Sequence, residues 1–119
     1  MSDMICDFRP EMTDDLELHF KEKMPELKRI YISGPMTGIP EYNAPAFQKA
    51  YFDLQGADYF PVLPTPPVEG KTHAEYLRDD LKILLDCDGI YMLLGWQDSK
   101  GARVEHMAAI ACGIDEITL

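Results

Sequence analysis

Short apolar runs and helical periodicities take turns along the chain. "RIYI" (29–32) reads as a strand, and "APAFQKAYFDLQ" (44–55) repeats apolar residues at helical spacing up to Gly56. "DYFPV" (58–62) reads as a second strand. "PTPPVEGK" is a loop, since four prolines between Pro61 and Pro67 remove backbone donors and fix φ. "THAEYLRDDLKILLD" (72–86) is a helix opened by a Thr72-x-x-Glu75 capping box. "GIYMLL" (89–94) follows as a buried strand and "GWQDS" as a loop. "KGARVEHMAAIACG" (100–113) is a helix with Asp98 or Ser99 as its N-cap, and "IDEITL" (114–119) is the last strand. Strands alternating with helices predict an α/β domain whose parallel sheet is covered on both faces. Residues 1–27 stand apart as an acidic N-terminal extension, with a short helix in "TDDLELHFKEKM" that Thr13 caps; the domain itself spans 28–119.

Two carboxylates break the pattern. At roughly 100° per residue, Glu75, Arg78, Asp79, Lys82 and Asp86 share one polar arc of the helix 72–86. Asp80 instead lines up with Leu77 and Leu84, where a carboxylate costs free energy unless it is hydrogen-bonded or paired. Such a residue either anchors a loop or works on a ligand. Glu105 emerges from a face of Gly101, Ala102, Ala108, Ala109 and Cys112, all small, about one turn into its helix. It reads either as a site residue or as the partner of Arg103 or of a neighbouring subunit. Ligands of parallel sheets bind beyond the carboxyl ends of the strands. There the glycine-bearing loops "SGPMTG" (33–38) and "GWQDSKG" (95–101) either approach a ligand or turn tightly. Two acids beside a sugar fit glycosidic chemistry, one attacking the anomeric carbon while the other helps the leaving group depart.

Composition narrows the partners. The 119 residues suffice for one core, with 46% hydrophobic and 27% charged residues. A net charge of −10 argues against coating a nucleic acid polymer, yet leaves room for a single small phosphate. No apolar run of about 18 residues predicts a membrane span, and "MSDMICDFRPEMTDD" has no signal-peptide pattern, so a cytoplasmic protein is expected. Cys6, Cys87 and Cys112 lack metal spacing and read as reduced thiols, with Cys87 and Cys112 as small core residues. His19, His73 and His106 are scattered; neither metal nor cofactor is expected. The few charges on the helix from Lys100 to Cys112 predict burial partly against another copy, and hence a homo-oligomer.

Taken in order, "YISGPMTG", "RDDL" and "GWQDSKGARVE" resemble the nucleoside 2-deoxyribosyltransferase superfamily, which includes the deoxynucleoside 5′-monophosphate N-glycosidases, and most closely a phage and bacterial branch of unassigned function. The resemblance covers roughly residues 29 to 119. It implies a three-layer flavodoxin-like (Rossmann-like) fold and a nucleoside or nucleotide ligand. It makes Glu105 the nucleophile that forms an ester at C1′ of the deoxyribose, Tyr31 the tyrosine that orients it, and Asp80 the acid that contacts the base. Ser33, Gly34, Thr37 and Gly38 then form the loop around the sugar or phosphate, and Met36 and Trp96 flank the base. Asp98 lies near an acid that binds sugar hydroxyls, Ser99 near a serine that binds the 5′-phosphate, and Gly101 completes the substrate-binding set.

Departures from the family stand beside these matches. His106 and Met107 follow Glu105 where active members carry a Glu-Leu-Gly-type sequence, and His106, turned away from Glu105, is expected at the surface or a subunit contact. The family's late pocket-closing segment is expected to have no counterpart after the fourth strand. The expected activity is therefore N-glycosidic cleavage or deoxyribosyl transfer, against two alternatives: a nucleotide-binding or sequestering protein without turnover, and an NAD glycohydrolase.

Overall fold

A computed structural model of the chain describes residues 27–119. Residues 1–26 of the N-terminal extension, with Cys6, His19 and the helix expected behind Thr13, lie outside the described residues. Strands β1 (Arg29–Ser33), β2 (Phe60–Val62), β3 (Gly89–Met92) and β4 (Asp115–Glu116) alternate with helices α1 (Ala44–Gly56), α2 (His73–Leu85) and α3 (Lys100–Ala111). The sheet is parallel in all three pairings, in the order β2-β1-β3-β4.

That order reverses direction after β2, and right-handed crossovers then carry the helices to opposite faces. Side-chain parity along β1 meets both. Ile30 and Ile32 pack with Phe47, Ala50 and Leu54 of α1, whereas Tyr31 packs with Leu84, Cys87, Ile90, Ala109 and Ile114 on the side of α2 and α3. Ile30, Ile32 and Leu54 are fully buried, which stabilises the fold by about 2 kcal/mol each. Ser33 shares its parity with Tyr31 and reaches the α2/α3 face at the carboxyl end of the strand.

Several element ends differ from expectation, and β3 stops at Met92 rather than Leu94, which is exposed. β2 starts at Phe60 because Asp58 takes a left-handed turn (φ 67°) and the Tyr59 N–H donates to Leu54 O at 3.0 Å, closing α1. β4 is only Asp115–Glu116, since its register with β3 covers Gly89 and Ile90 alone. Cys112 is exposed, not a core residue: α3 ends at Ala111, and Cys112 caps it outside the packed face, while Cys87 is buried.

Between β1 and α1 lies a turn that the sequence does not announce. Glu41, Tyr42 and Asn43 are all left-handed (φ 56°, 54° and 66°), at a cost of about 1 kcal/mol or more for each non-glycine residue. The Asn43 Nδ2 donates to Pro35 O at 3.0 Å and holds the turn against the loop after β1. Among the described residues no helix is long and apolar enough to cross a membrane.

Candidate active site

Glu105 comes to the sheet because α3 has no bulk beneath it. Its buried neighbours on the helix are Ala102 and Ala109, and Ser99 caps the helix by accepting from the Ala102 N–H at 3.2 Å. Small side chains let the helix approach β1, and the carboxylate crosses to the strand. Tyr31 Oη donates to Glu105 Oε2 at 2.9 Å, and Ser33 Oγ donates to Oε1 at 2.6 Å. The period of two along β1 puts both hydroxyls on the face that Glu105 meets, and short O–H···O contacts of this kind are the strong ones when the acceptor is charged.

Burial works against that charge. Glu105 is only 6% exposed, and desolvation pushes its carboxyl up to about 7 despite the Ser33 and Tyr31 hydroxyls, which pull it down; the Asp80 charge adds to the rise. Tyr31 is driven far above the usual phenol range, first by burial and then by the Glu105 charge, so it stays a neutral donor.

Asp80 is buried on α2, as its place in the Leu77–Leu84 stripe requires. Its Oδ1 accepts from both the backbone N–H (2.8 Å) and the hydroxyl of Thr65, in the proline-rich loop. Two further links fasten that loop to α2. Tyr76 Oη donates to Val68 O at 2.6 Å and also accepts from the Val68 N–H, and Lys71 Nζ lies 2.5 Å from Asp79 Oδ2. The capping box forms as expected, with Thr72 N donating to Glu75 Oε1 at 2.8 Å and Glu75 N to Thr72 Oγ1 at 3.1 Å.

Glu105 and Asp80 open on one cleft of about 660 Å³ beyond the carboxyl end of β1, within the usual size of a small-molecule site. Of the residues expected there, Tyr31, Ser33, Gly34, Met36, Thr37, Ser99 and Gly101 line it with the two acids. Gly38, Trp96 and Asp98 do not. Trp96 belongs to a single 3-10 turn, Trp96–Asp98, that leads into α3, and its ring lies on His106 with centroids 4.4 Å apart; His106 Nε2 in turn pairs with Glu116 Oε1 at 2.9 Å. The two glycines of the first loop have different tasks. Gly34 is a close approach, where a Cβ would sit 2.6 Å from Leu93 Cβ; Gly38 is a turn at φ 82°.

The cleft also contains residues that the sequence did not single out: Tyr42, Thr65, Lys71, His73 and Tyr76. Thr65 had one signal, a hydroxyl among prolines whose loop must be fastened somewhere. Tyr42 had none, because nothing in "IPEYN" foretells a left-handed turn. Among the described residues no group of three or more His, Cys, Asp or Glu is placed to hold a metal ion.

Over residues 28–118 the sequence matches the family described as Domain of unknown function (DUF4406), and with that span covering most of its length the chain belongs to this family. No curated protein matches it.

Proposed function

We propose that this DUF4406 member cleaves the N-glycosidic bond of a 2′-deoxynucleoside or its 5′-monophosphate, or transfers the deoxyribosyl group, through an ester between Glu105 and C1′. The observation that carries the reading is a buried carboxylate, held on both oxygens by Tyr31 and Ser33, that shares an open cleft with a second buried acid. Each Glu105 oxygen keeps a lone pair after accepting one hydrogen bond. One of them attacks C1′, and the electron pair of the C1′–N bond leaves with the base. Both hydrogen bonds to Asp80 fall on Oδ1, which leaves Oδ2 to take a proton from solvent and pass it to the departing base. Water then takes the sugar from Glu105, its hydroxyl going to C1′ and its proton to solvent; a second base in place of water, losing its own N–H proton to solvent, makes the reaction a transfer.

Finer features of the reading rest on similar support. The sheet order 2-1-3-4 supports a flavodoxin-like fold, in which the switch point falls between β1 and β3, beside Ser33. Met107 and Ile110, 64% and 53% exposed on α3, favour a homo-oligomer through that helix. Free thiols at Cys87 and Cys112 favour the reducing cytoplasm. One observation favours a second reading, a nucleotide-binding protein without turnover: Glu105 is a weaker nucleophile wherever it is protonated, and its carboxyl is pushed up to about 7.

Incubation with a panel of deoxynucleosides and their 5′-monophosphates separates the two. Free base is followed by chromatography and the intact protein by mass spectrometry. Glycosidase or transferase chemistry gives base release, with a deoxyribosyl adduct on the wild type. Both disappear in Glu105→Ala, with Glu105→Gln as the isosteric control, a loss of at least about a thousandfold. Thermal stabilisation by the panel with no base released means binding alone.

A further inference from the structure

The left-handed turn before α1 has no evident use inside the protein. Glu41 and Tyr42 would be relaxed by glycine, yet the chain holds them at φ 56° and 54°. Three hydrogen bonds keep the turn closed: Tyr42 N to Ile39 O at 2.9 Å, Ala44 N to Glu41 O, and the Asn43 amide to Pro35 O. The Tyr42 side chain gains no structural partner from this. It is 55% exposed, outside both core clusters, and no ring contact or side-chain hydrogen bond engages it among the described residues. It does line the cleft.

Its counterpart comes from the other side of the sheet. Tyr42 precedes α1, whereas Tyr76 belongs to the first turns of α2, and these helices cover opposite faces. Tyr76 also lines the cleft, with its hydroxyl bonded to Val68. The expected aromatic platform, Trp96, is occupied by His106. Backbone strain held by its surroundings, and ending in an unpartnered aromatic ring at a cleft, is the mark of a ligand contact. We propose that Tyr42 stacks on the planar base of the ligand, with the strained turn serving to present its ring. The inference rests on the glycosidase reading and adds to it the residue that recognises the leaving base.

The test uses the full chain in a Glu105→Gln background, which stops turnover. Affinities are measured for the common 2′-deoxynucleosides and their 5′-monophosphates and, as base-free probes, for 2-deoxyribose and its 5-phosphate; the base protons are followed by NMR. Tyr42→Gly weakens nucleotide binding by about tenfold and abolishes the upfield ring-current shift of the base protons. It leaves the base-free probes unaffected and holds or raises the melting temperature, since glycine adopts this backbone freely. Tyr42→Phe keeps affinity and shift. Unchanged nucleotide affinity in Tyr42→Gly, or an equal loss with and without the base, overturns the stacking role while base release by the wild type leaves the glycosidase reading standing. Failure of every nucleoside and nucleotide to bind overturns both.

Discussion

Glu105 receives both of its hydrogen bonds from hydroxyls on β1, whereas Asp80 spends Oδ1 on Thr65 of a proline-rich loop. The first acid is built on a strand and a helix packed through small residues, so its position follows from the core. The second is built on a helix and a loop, and its position follows from links made at the cleft wall itself. A nucleophile gains from the first arrangement, because attack needs one fixed geometry. A group that follows a departing base gains from the second, where a wall can adjust.

Asp80→Asn gives the largest effect that breaks the comparison. The amide oxygen can still accept from Thr65, so the loop stays in place while the proton relay to the base is lost. Base release falls by about a hundredfold or more with little change in melting temperature. Equal losses of stability and activity, read by chromatography and thermal unfolding, would make Asp80 a loop anchor only.

The Glu105 half predicts a stability change of opposite sense to the usual carboxylate. Its folded value is about 7 against a reference of 4.5, so between these the folded state binds more protons than the unfolded one. Stability is highest below the reference and is lost as pH rises through about 7. Glu105→Gln removes that penalty, raising stability by up to about 3 kcal/mol near pH 8 and by less than about 1 kcal/mol near pH 5. Denaturant unfolding at the two pH values checks it; a gain of equal size at both means that packing, not charge, sets the change.

What the sequence disclosed follows the same division. Tyr31, Ser33 and Glu105 lie on regular elements, where a period of two and a period of 3.6 decide which residues share a face. Asp80 was legible as a misfit in the Leu77–Leu84 stripe. Thr65 was not legible as its partner, because nothing local relates a loop residue to a helix fifteen positions later. Trp96, which the resemblance set beside the base, sits in the 3-10 turn into α3 with its ring on His106, a contact that no local pattern in "GWQDSKG" foretells. Tyr42 marks the extreme, where local preference points away from the conformation adopted.

Ser33→Ala sharpens the Glu105 half. Ser33 is the stronger of the two hydroxyls holding the charged carboxylate down, so its loss raises the carboxyl further above about 7. The rising acid limb of base release shifts to higher pH, activity near neutrality drops by about tenfold, and activity well above that limb is largely recovered. Ser33→Thr keeps the hydroxyl and holds the limb in place. A uniform drop across all pH would mean that Ser33 serves the substrate directly.

Tyr76→Phe is the smallest change and belongs to the loop half. It removes the hydroxyl that serves both the N–H and the C=O of Val68 while leaving the ring in the cleft. Both backbone groups are solvent-accessible and can turn to water, so the loss is about 1 kcal/mol. Hydrogen exchange should register it as faster exchange at Val68, while amides along β1 and α3 stay protected. That split would show the two walls opening independently, with Thr65 and Asp80 still joined. If β1 exchanges faster as well, the loop is part of the core, and both acids rest on one scaffold.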